Sequence, residues 1–142
     1  MPSLKKAPST TVIVPTYNEK ENIESLVTQL LALPLQVHVI VVDDNSPDGT
    51  GALADRLTEE HEGQVEAIHR SGKLGLGTAY VAGFQRALSE QADLICTMDA
   101  DFSHHPHYIP DLVNKIRQGF DLAVGSRYVS GGGTNGCTVS RK

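Results

Sequence analysis

Apolar positions along the chain follow two alternating spacings. Short runs of β-branched or continuous apolar residues are typical of buried strands, and apolar residues three or four positions apart are typical of helices with one apolar side. The runs predict strands at residues 10–14, 37–42, 65–69, 94–98 and 122–125. The periodic segments predict helices at residues 19–33, 50–60, 78–88 and 108–117. The chain is therefore predicted to repeat a strand–helix pair and to finish on a fifth strand.

Local signals refine two of these helices. Asn18 and Glu21 form an N-x-x-E pattern, which places the start of the first helix there, and Pro34 ends that helix. In the third helix, Val81, Phe84 and Leu88 lie on one side. These three residues define the apolar side of that helix in the sequence.

Strands that alternate with helices predict the fold class. Helical crossovers join parallel strands, so we expect an α/β fold with an open, Rossmann-like, mostly parallel sheet and helices on both faces. Residues 1–9 are polar and proline-containing, which predicts a disordered tail. Residues 10–129 are the predicted core, and the glycine-rich residues 130–142 are predicted to be flexible. No closing helix or strand is predicted after that segment, so the fold is expected to lack a further part.

Composition and charge narrow the class of protein. The chain has 142 residues, a net charge of −5 and 39% hydrophobic residues, which is typical of one soluble domain and disfavours binding to nucleic acid. The apolar runs are too short for a membrane span, and residues 1–10 lack the apolar stretch of a signal peptide. Cys96 and Cys137 match neither a disulfide framework nor a zinc motif. The expected compartment is the cytoplasm.

Polar residues follow every predicted strand. Ligands of open α/β sheets bind beyond the carboxyl ends of the strands, so the candidate site comprises residues 15–19, 43–44, 70–77, 99–103 and 126–128. The chain lacks the glycine pattern of dinucleotide-binding folds after its first strand, and Gly72-Lys73-Leu74 departs from the P-loop pattern. Any phosphate group must therefore be held in another way.

Asp99 and Asp101 offer a way to hold phosphate through a metal ion. Residues two apart in an extended chain point to the same side. Two carboxylates at a strand end suit Mg²⁺ or Mn²⁺, which are commonly bound by one or two carboxylates together with substrate phosphates. The alternative is a pair of solvated loop aspartates.

Four side chains after the first two strands have two interpretations each. One residue of the pair Asp43 and Asp44 is expected to cap the following turn, and the other to accept hydrogen bonds from a base or ribose. Tyr17 offers an aromatic face for stacking a base, or packs against the sheet. Glu19 offers a carboxylate to a nucleoside, or sits favourably at a helix N-terminus.

The remaining candidates concern anions and metal ions. Gly72, Gly75 and Gly77 around Lys73 either present N–H groups and a cation to an anion or form an ordinary flexible loop. Arg127 either forks onto a phosphate or forms a surface ion pair. The spacing in His104-His105-Pro106-His107 matches no common zinc pattern. We expect one imidazole to order the loop rather than to bind metal.

Taken together, these motifs resemble the family 2 glycosyltransferases with a GT-A fold, and more narrowly the dolichyl- or polyprenyl-phosphate mannose synthases. P-T-Y-N-E (15–19) and D-D-N-S (43–46) are shared by many family 2 enzymes. The segments around residues 72–80 and 99–106 are more particular to the mannose synthases. The resemblance runs in order from residue 11 to residue 129.

The resemblance implies a role for each matching residue. The nucleoside of GDP-mannose would be held by Pro15, Tyr17, Glu19, Val42 and Asp44. The diphosphate and its Mg²⁺ or Mn²⁺ would be lined by Asp99, Ala100 and Asp101, with Ser103 close to the ion. Asp99, Asp101 and Ser103 are thus the implied metal residues. Arg127 would contact phosphate, and Asp101 and Arg127 are the residues expected to act in catalysis.

The implied reaction transfers mannose, with inversion, to a polyprenyl or dolichyl phosphate at a membrane surface. A phosphate monoester is largely dianionic near neutral pH, so this acceptor needs positive charge and positioning rather than a strong base. Arg127, Arg141 and Lys142 are the available cations. The expected location is peripheral, at the cytosolic face of a membrane.

The sequence departs from the family pattern in two places. Cys137 stands where the family usually has a tryptophan, and the sequence stops at Lys142, where family catalytic domains continue with acceptor-side elements. Two alternatives therefore stay open: a UDP-glucose-dependent polyprenyl-phosphate glucosyltransferase, and a donor-binding fragment without turnover. A metal-dependent phosphatase is disfavoured, because Pro15-Thr16 occupies the position of its nucleophilic aspartate.

Overall fold

Residues 8–133 are described by a computed structural model, which contains a four-stranded parallel sheet. The strands lie in the order β3-β2-β1-β4. Their bounds are β1 Ser9–Thr16, β2 Gln36–Asp43, β3 Val65–His69 and β4 Leu94–Thr97. The expected α/β fold with a parallel sheet is confirmed.

Four α-helices and one short 3₁₀-helix connect and follow the strands. The helices are α1 Ile23–Leu31, α2 Thr50–Glu60, α3 Leu76–Ser89 and α4 Ile109–Arg117, with the 3₁₀-helix at Pro106–Tyr108. Every predicted helix is present. Pro106 stands at the first position of the 3₁₀-helix, where its missing N–H costs no hydrogen bond.

The central strands β1 and β2 form the core of the sheet. They pair in register from Ser9–Gln36 to Thr16–Asp43, and Val12–Val14 and Val39–Val42 are fully buried on both faces. Ile13, Ile40 and Val42 point to the face that α3 covers. By strand alternation Val12 and Val39 point to the opposite face. On that side α1 lies against β2, and α2 against β2 and β3. Helices therefore cover both faces, as expected.

Helix α3 packs on the sheet through small residues. Its buried positions are Ala79, Gly83 and Ala87. A Cβ atom added at Gly83 would lie 2.4 Å from Cγ2 of Ile13, so the helix approaches β1 as closely as a glycine permits. The large residues that the sequence groups on one side, Val81, Phe84 and Leu88, are instead exposed. Close backbone approach, rather than side-chain size, decides which face of α3 is buried.

Helix α1 begins later than the sequence predicts. It starts at Ile23 rather than near Asn18, and Asn18 itself has a left-handed backbone with φ of 56°. The backbone N–H groups of Asn18, Glu19 and Lys20 donate instead to side chains of the β2–α2 loop. These tertiary hydrogen bonds replace the local capping that the N-x-x-E pattern predicts.

The predicted fifth strand is absent from residues 122–125, and that prediction is wrong. Leu122 and Val124 are 77% and 74% exposed, so neither gains the burial that stabilises an apolar strand. Contacts divide the chain into two compact bodies that meet in sequence between Pro110 and Asp111, and residues 122–125 belong to the second.

Several sequence predictions fall on residues beyond the described range. The predicted tail at residues 1–9 is described only from Pro8, and Ser9 already belongs to β1. The predicted flexible segment at residues 130–142 is described only to residue 133. Cys137, Arg141 and Lys142 lie outside the described residues. Between residues 8 and 133, no helix combines the length and apolarity needed to cross a bilayer.

Candidate functional site

Successive strands are added first on one side of β1 and then on the other. This change of direction marks the expected ligand site of the sheet. Strands β2 and β3 extend the sheet on one side of β1, whereas β4 pairs on the other. The carboxyl ends of β1 and β4 are the switch point at which open α/β sheets bind ligands. The segments 15–19 and 99–103 follow these two strands directly. The first body thus contains four of the five loops that the sequence predicts for the site, and residues 126–128 belong to the second body.

Asp43 has a structural role. Its carboxylate is buried and accepts hydrogen bonds from the hydroxyls of Thr16 and Ser46, each at 2.7 Å, and from the N–H of Ser46 at 3.0 Å. A buried carboxylate needs such partners to offset its lost hydration. Asp43 therefore caps the turn after β2, which confirms that one member of the aspartate pair does so.

Asp44 pairs with an arginine that the sequence reading did not assign. Arg70 donates from Nε to Oδ1 of Asp44 at 2.6 Å and from Nη2 to Oδ2 at 2.8 Å. The side chains are only 9% and 10% exposed. The carboxylate hydrogen bond raises the pKa of Arg70, so the guanidinium is always charged. Both oxygens of Asp44 are thus engaged by Arg70, and a nucleoside contact of Asp44 stays a prediction.

Arg70 also anchors the glycine-rich segment. Its guanidinium donates to the hydroxyl of Thr78 at 2.6 Å and to the carbonyl of Gly75 at 3.2 Å. Gly75 has φ of +106°, a backbone conformation that favours glycine. One arginine therefore links the ends of β2 and β3 to the start of α3. An arginine directly after a strand and 26 residues from an Asp-Asp pair is the signal that was available in the sequence.

Tyr17 lies at the edge of the site rather than inside the core. The side chain is 39% exposed, and Nζ of Lys73 lies 4.7 Å from the ring centroid. A cation at this distance is attracted by the ring face. The ring is therefore available for stacking on its accessible part, and Lys73 places a positive charge beside it.

Glu19 orders the approach to α1. Its carbonyl accepts hydrogen bonds from the N–H groups of Asn22 and Ile23, each at 3.0 Å, and its carboxylate accepts one from Nδ2 of Asn22. Glu19 is only partly buried. The structure thus supports the interpretation that Glu19 stabilises the helix N-terminus, and a nucleoside contact stays a prediction.

Three predicted site residues, Pro15, Val42 and Ala100, have uncharged, apolar side chains. Pro15 and Val42 are register partners on β1 and β2, and Val42 is fully buried. Ala100 is also buried, between the two aspartates of the D-A-D segment. The side chains of Val42 and Ala100 belong to the core, and contact of these residues with a ligand stays a prediction.

Asp99 is held at the end of β4 by a tyrosine and a histidine. The hydroxyl of Tyr80 donates to Oδ1 at 3.1 Å, and Nε2 of His104 lies 4.0 Å from Oδ2. The N–H of Asp99 donates to Nδ1 of His104 at 3.1 Å, so a histidine orders this loop as expected. Burial and the Asp99 charge raise the pKa of Tyr80 to about 12, which keeps its hydroxyl protonated.

Asp101 leaves one oxygen unengaged by the described residues. The hydroxyl and the N–H of Ser103 both donate to Oδ1, at 2.6 Å and 3.0 Å. These hydrogen bonds lower the pKa of Asp101, so it is ionised at neutral pH. Between them Phe102 adopts φ of 61°, which is unusual for a bulky residue and is the kind of strain found at functional loops. Ser103 therefore contacts Asp101, and its predicted place beside a metal ion stays a prediction.

The remaining histidines pack on one another. His105 and His107 share a hydrogen bond between Nδ1 atoms, and the N–H of His107 donates to Nδ1 of His105. Their rings lie 4.0 Å apart, and the ring of Tyr108 lies 4.0 Å from His107. The segment is a stacked surface turn.

Another group of potential metal ligands lies at the opposite ends of the strands. His38, Glu66 and Glu90 have ligand atoms within 4.8 Å of one another, beside a cavity of about 410 Å³. The guanidinium of Arg86 already binds both glutamates, at 2.7 Å and 2.9 Å. This cluster is an ion-pair network and is separate from the candidate site.

Arg127 belongs to the second body, where it lies in an exposed turn. Its predicted contact with phosphate stays a prediction. The candidate site as the structure describes it therefore comprises the loops after β1, β2, β3 and β4.

The chain belongs to glycosyl transferase family 2, whose family model matches residues 11–142. Its fold agrees with this assignment, because solved GT-A glycosyltransferases share it. One is a mannosyltransferase from Pyrobaculum calidifontis in complex with GDP-mannose and Mn²⁺, with 30% identity, a TM-score of 0.53, and 58% of this chain and 25% of the other covered. Another is glucosyl-3-phosphoglycerate synthase from Mycobacterium tuberculosis, at 24% identity and a TM-score of 0.58, covering 77% and 39%.

Two curated relatives carry names that specify the substrate class more narrowly. Polyprenol monophosphomannose synthase of Mycolicibacterium smegmatis is 50% identical over 123 residues, which are 87% of this chain and 46% of that protein. Dolichol-phosphate mannosyltransferase of Pyrococcus furiosus is 41% identical over 133 residues, 92% of this chain and 36% of that protein. The chain thus spans less than half the length of these relatives.

Proposed function

We propose that this chain supplies the donor side of a metal-dependent, inverting mannosyltransferase that moves mannose from GDP-mannose to a polyprenyl or dolichyl monophosphate. The observation that carries the proposal is the pair Asp99 and Asp101 at the end of β4, next to β1 at the switch point of the sheet. Similarity to relatives named for polyprenol and dolichol phosphate favours this substrate class over a UDP-glucose donor.

The donor set of this pair fits a hard divalent cation. Asp101 is ionised, and the hydrogen bonds from Ser103 fall on its Oδ1. Asp99 is 41% exposed, with Oδ1 bound by Tyr80. Two carboxylates that each present one further oxygen, completed by diphosphate oxygens, suit Mg²⁺ or Mn²⁺. A bound cation would neutralise the negative charge of the departing diphosphate.

The loops after the other strands fit a nucleoside. Tyr17 offers an accessible aromatic ring, and the Asp44–Arg70 pair offers a fixed carboxylate at the end of β2. The uncharged residues Pro15 and Val42 complete these loops, and Glu19 orders the segment between β1 and α1. We assign Pro15, Tyr17, Glu19, Val42 and Asp44 to the nucleoside. The diphosphate and its cation are assigned to Asp99, Ala100, Asp101 and Ser103.

The acceptor chemistry needs no general base. In the transfer, the bond from the anomeric carbon to the diphosphate oxygen breaks and its electrons leave with GDP. An oxygen of the acceptor phosphate, already ionised, bonds to that carbon from the opposite face. We assign Arg127 to phosphate binding during this step, because its guanidinium suits a phosphate geometrically. A lipid acceptor also implies peripheral association with the cytosolic face of a membrane.

Calorimetric titration with GDP and with UDP, each with and without Mn²⁺, tests the donor assignment. We expect GDP to bind in preference to UDP, and Mn²⁺ to tighten binding of GDP. Asp101→Asn should abolish the Mn²⁺-dependent gain, whereas Asp111→Asn, an exposed carboxylate on α4, should leave it unchanged. A preference for UDP would overturn the GDP-mannose assignment, and equal loss in both variants would overturn the role of Asp101.

A transfer assay then separates an enzyme from a donor-binding fragment. Radiolabelled GDP-mannose is incubated with Mn²⁺ and a polyprenyl phosphate in detergent, and labelled lipid is measured. Product that disappears in Asp101→Asn supports the transferase. Donor binding without labelled lipid would restrict this chain to binding.

A further inference from the structure

Tyr80 connects the packed face of α3 to the candidate metal site. Its neighbour Ala79 is buried against the sheet, and the Tyr80 ring packs against the apolar cluster that contains Ile13 and Val42. The ring is therefore held by the core, while its hydroxyl reaches Oδ1 of Asp99 at 3.1 Å. A rigid side chain from one element thus contacts the carboxylate of another.

The Asp99 carboxylate needs such a contact to keep one orientation. It is 41% exposed at the end of a four-residue strand, so packing alone does not fix its rotation. On the other side, Nδ1 of His104 accepts the N–H of Asp99 and so carries no proton. The ring proton of His104 is then on Nε2, which lies 4.0 Å from Oδ2. Among the described residues, Tyr80 hydrogen-bonds to Oδ1, whereas the nearest ionisable partner of Oδ2 is the His104 ring at 4.0 Å.

We propose that Tyr80 is a positioning residue that makes Asp99 a one-oxygen ligand for the divalent cation of the donor site. The inference rests on the proposed function, since it concerns the same cation. With Oδ1 engaged by the phenol, Asp99 offers only Oδ2. Mg²⁺ and Mn²⁺ favour octahedral sites, whereas Ca²⁺ accepts more ligands and often both oxygens of a carboxylate. Tyr80 therefore favours the smaller ions.

The test compares Tyr80→Phe, which removes only the hydroxyl, with Tyr108→Phe, which makes the same change at an exposed residue. Affinities for Mn²⁺ and for Ca²⁺ are measured in the presence of GDP, together with GDP affinity in the absence of metal and the thermal midpoint. Loss of an outer contact to a metal ligand typically lowers metal affinity tenfold or more. We expect Tyr80→Phe to weaken Mn²⁺ binding about tenfold, with Ca²⁺ binding weakened less and metal-free GDP binding unchanged.

Each outcome has one meaning. A lowered ratio of Mn²⁺ to Ca²⁺ affinity in Tyr80→Phe but not in Tyr108→Phe supports the inference. Mn²⁺ affinity unchanged in Tyr80→Phe, in a parent chain that binds GDP and Mn²⁺, overturns the inference alone. Parallel losses of metal-free GDP binding and of both metal affinities indicate a purely structural role and also overturn it. A parent chain that binds no Mn²⁺ with GDP overturns the proposed function and this inference together.

Discussion

Arg70 and Asp44 form a two-point ion pair at the carboxyl edge of the sheet, with both carboxylate oxygens bound by one guanidinium at 2.6 and 2.8 Å. The pair joins the end of β2 to the segment that leads from β3 into α3. Because both side chains are almost fully buried, removal of one leaves the other without a partner of opposite charge. Among the charge pairs of the candidate site, this pair should therefore be the one whose loss affects stability most.

Arg70→Ala should therefore lower the free energy of unfolding by about 3 kcal/mol, the cost of leaving a buried carboxylate unpaired. Arg56→Ala is the matched control. Arg56 is 51% exposed and pairs with Glu24 and Glu60 on the surface, so its loss should cost less than about 1 kcal/mol. Urea unfolding of the three proteins measures both values. Equal costs in the two variants would contradict the importance given to the Asp44–Arg70 pair.

Gly83→Ala tests the close approach of α3 to β1. The added Cβ would lie 2.4 Å from Cγ2 of Ile13, a buried methyl that has no room to move. We expect a loss of about 1–3 kcal/mol from overpacking. Gly77→Ala, in the same helix with open space around the new Cβ, should instead gain up to about 1 kcal/mol from helix propensity. Thermal or urea unfolding compares the variants, and similar effects at both positions would show that contact with Ile13 is unimportant.

Cys96 should react slowly with alkylating reagents. Burial raises the pKa of its thiol to about 11, from an ordinary value of 9.0. Two pKa units lower the thiolate fraction near pH 8 roughly 100-fold. Iodoacetamide kinetics on a Cys137→Ser variant isolates Cys96. The rate should rise about tenfold per pH unit from pH 7 to 10, whereas the same chain unfolded in urea should level off near pH 9. A native rate that levels off there would refute the shifted pKa.

The raised pKa of the Cys96 thiol also determines whether the free energy of unfolding rises or falls with pH. The folded chain holds the Cys96 proton more tightly than the unfolded chain. The resulting contribution to the free energy of unfolding is therefore fully present below the pKa of the thiol in the unfolded chain. It declines as pH rises from about 9 towards about 11. Cys96→Ala should remove this part of the alkaline decline, which unfolding curves at pH 8 and pH 10 would detect.

Lys73→Met should weaken nucleotide binding without unfolding the protein. Nζ of Lys73 lies over the Tyr17 ring, and the proposed diphosphate would add a second favourable partner for this charge. An exposed cation–π contact is worth about 0.5–1 kcal/mol, so the unfolding free energy should change little. GDP affinity should fall about tenfold, the effect of losing one charge-assisted contact of about 1.4 kcal/mol. Lys115→Met, on exposed α4, should leave GDP affinity unchanged. An unaltered affinity in Lys73→Met would remove Lys73 from the site.

The sequence was sufficient to predict the order of strands and helices, because long apolar runs and helical stripes report burial directly. It also singled out Asp99, Asp101 and Ser103 after β4, and their role in binding a metal ion stays a prediction. It did not tell Asp43 from Asp44, because the partners that distinguish them, Thr16 and Arg70, come from distant segments. The local sequence around two adjacent aspartates does not distinguish their roles.

Other errors had the same physical origin. The start of α1 depends on hydrogen bonds that the backbone before it donates to Ser46, Asp48 and Thr50, about 30 residues further along the chain. The buried side of α3 depends on how near the helix comes to Ile13, and the small residues that permit this approach look unremarkable in a hydrophobicity pattern. The fifth strand was predicted from Leu122 and Val124 alone, and apolar character without a surface to bury did not produce one.

The pairing of β1 with both β2 and β4 has a consequence for how the chain folds. The first three strands and the first two helices pack on segments that are close to them in sequence. This part of the chain can therefore assemble early. Strand β4 instead pairs with β1 across a much larger separation in sequence, as the hydrogen bond from Ser9 to Asp93 across 84 residues shows. Such non-local pairing slows folding. A refolding experiment followed by hydrogen exchange should therefore find β2 and β3 protected first, and the D-A-D loop, with its strand β4, among the last segments to gain protection.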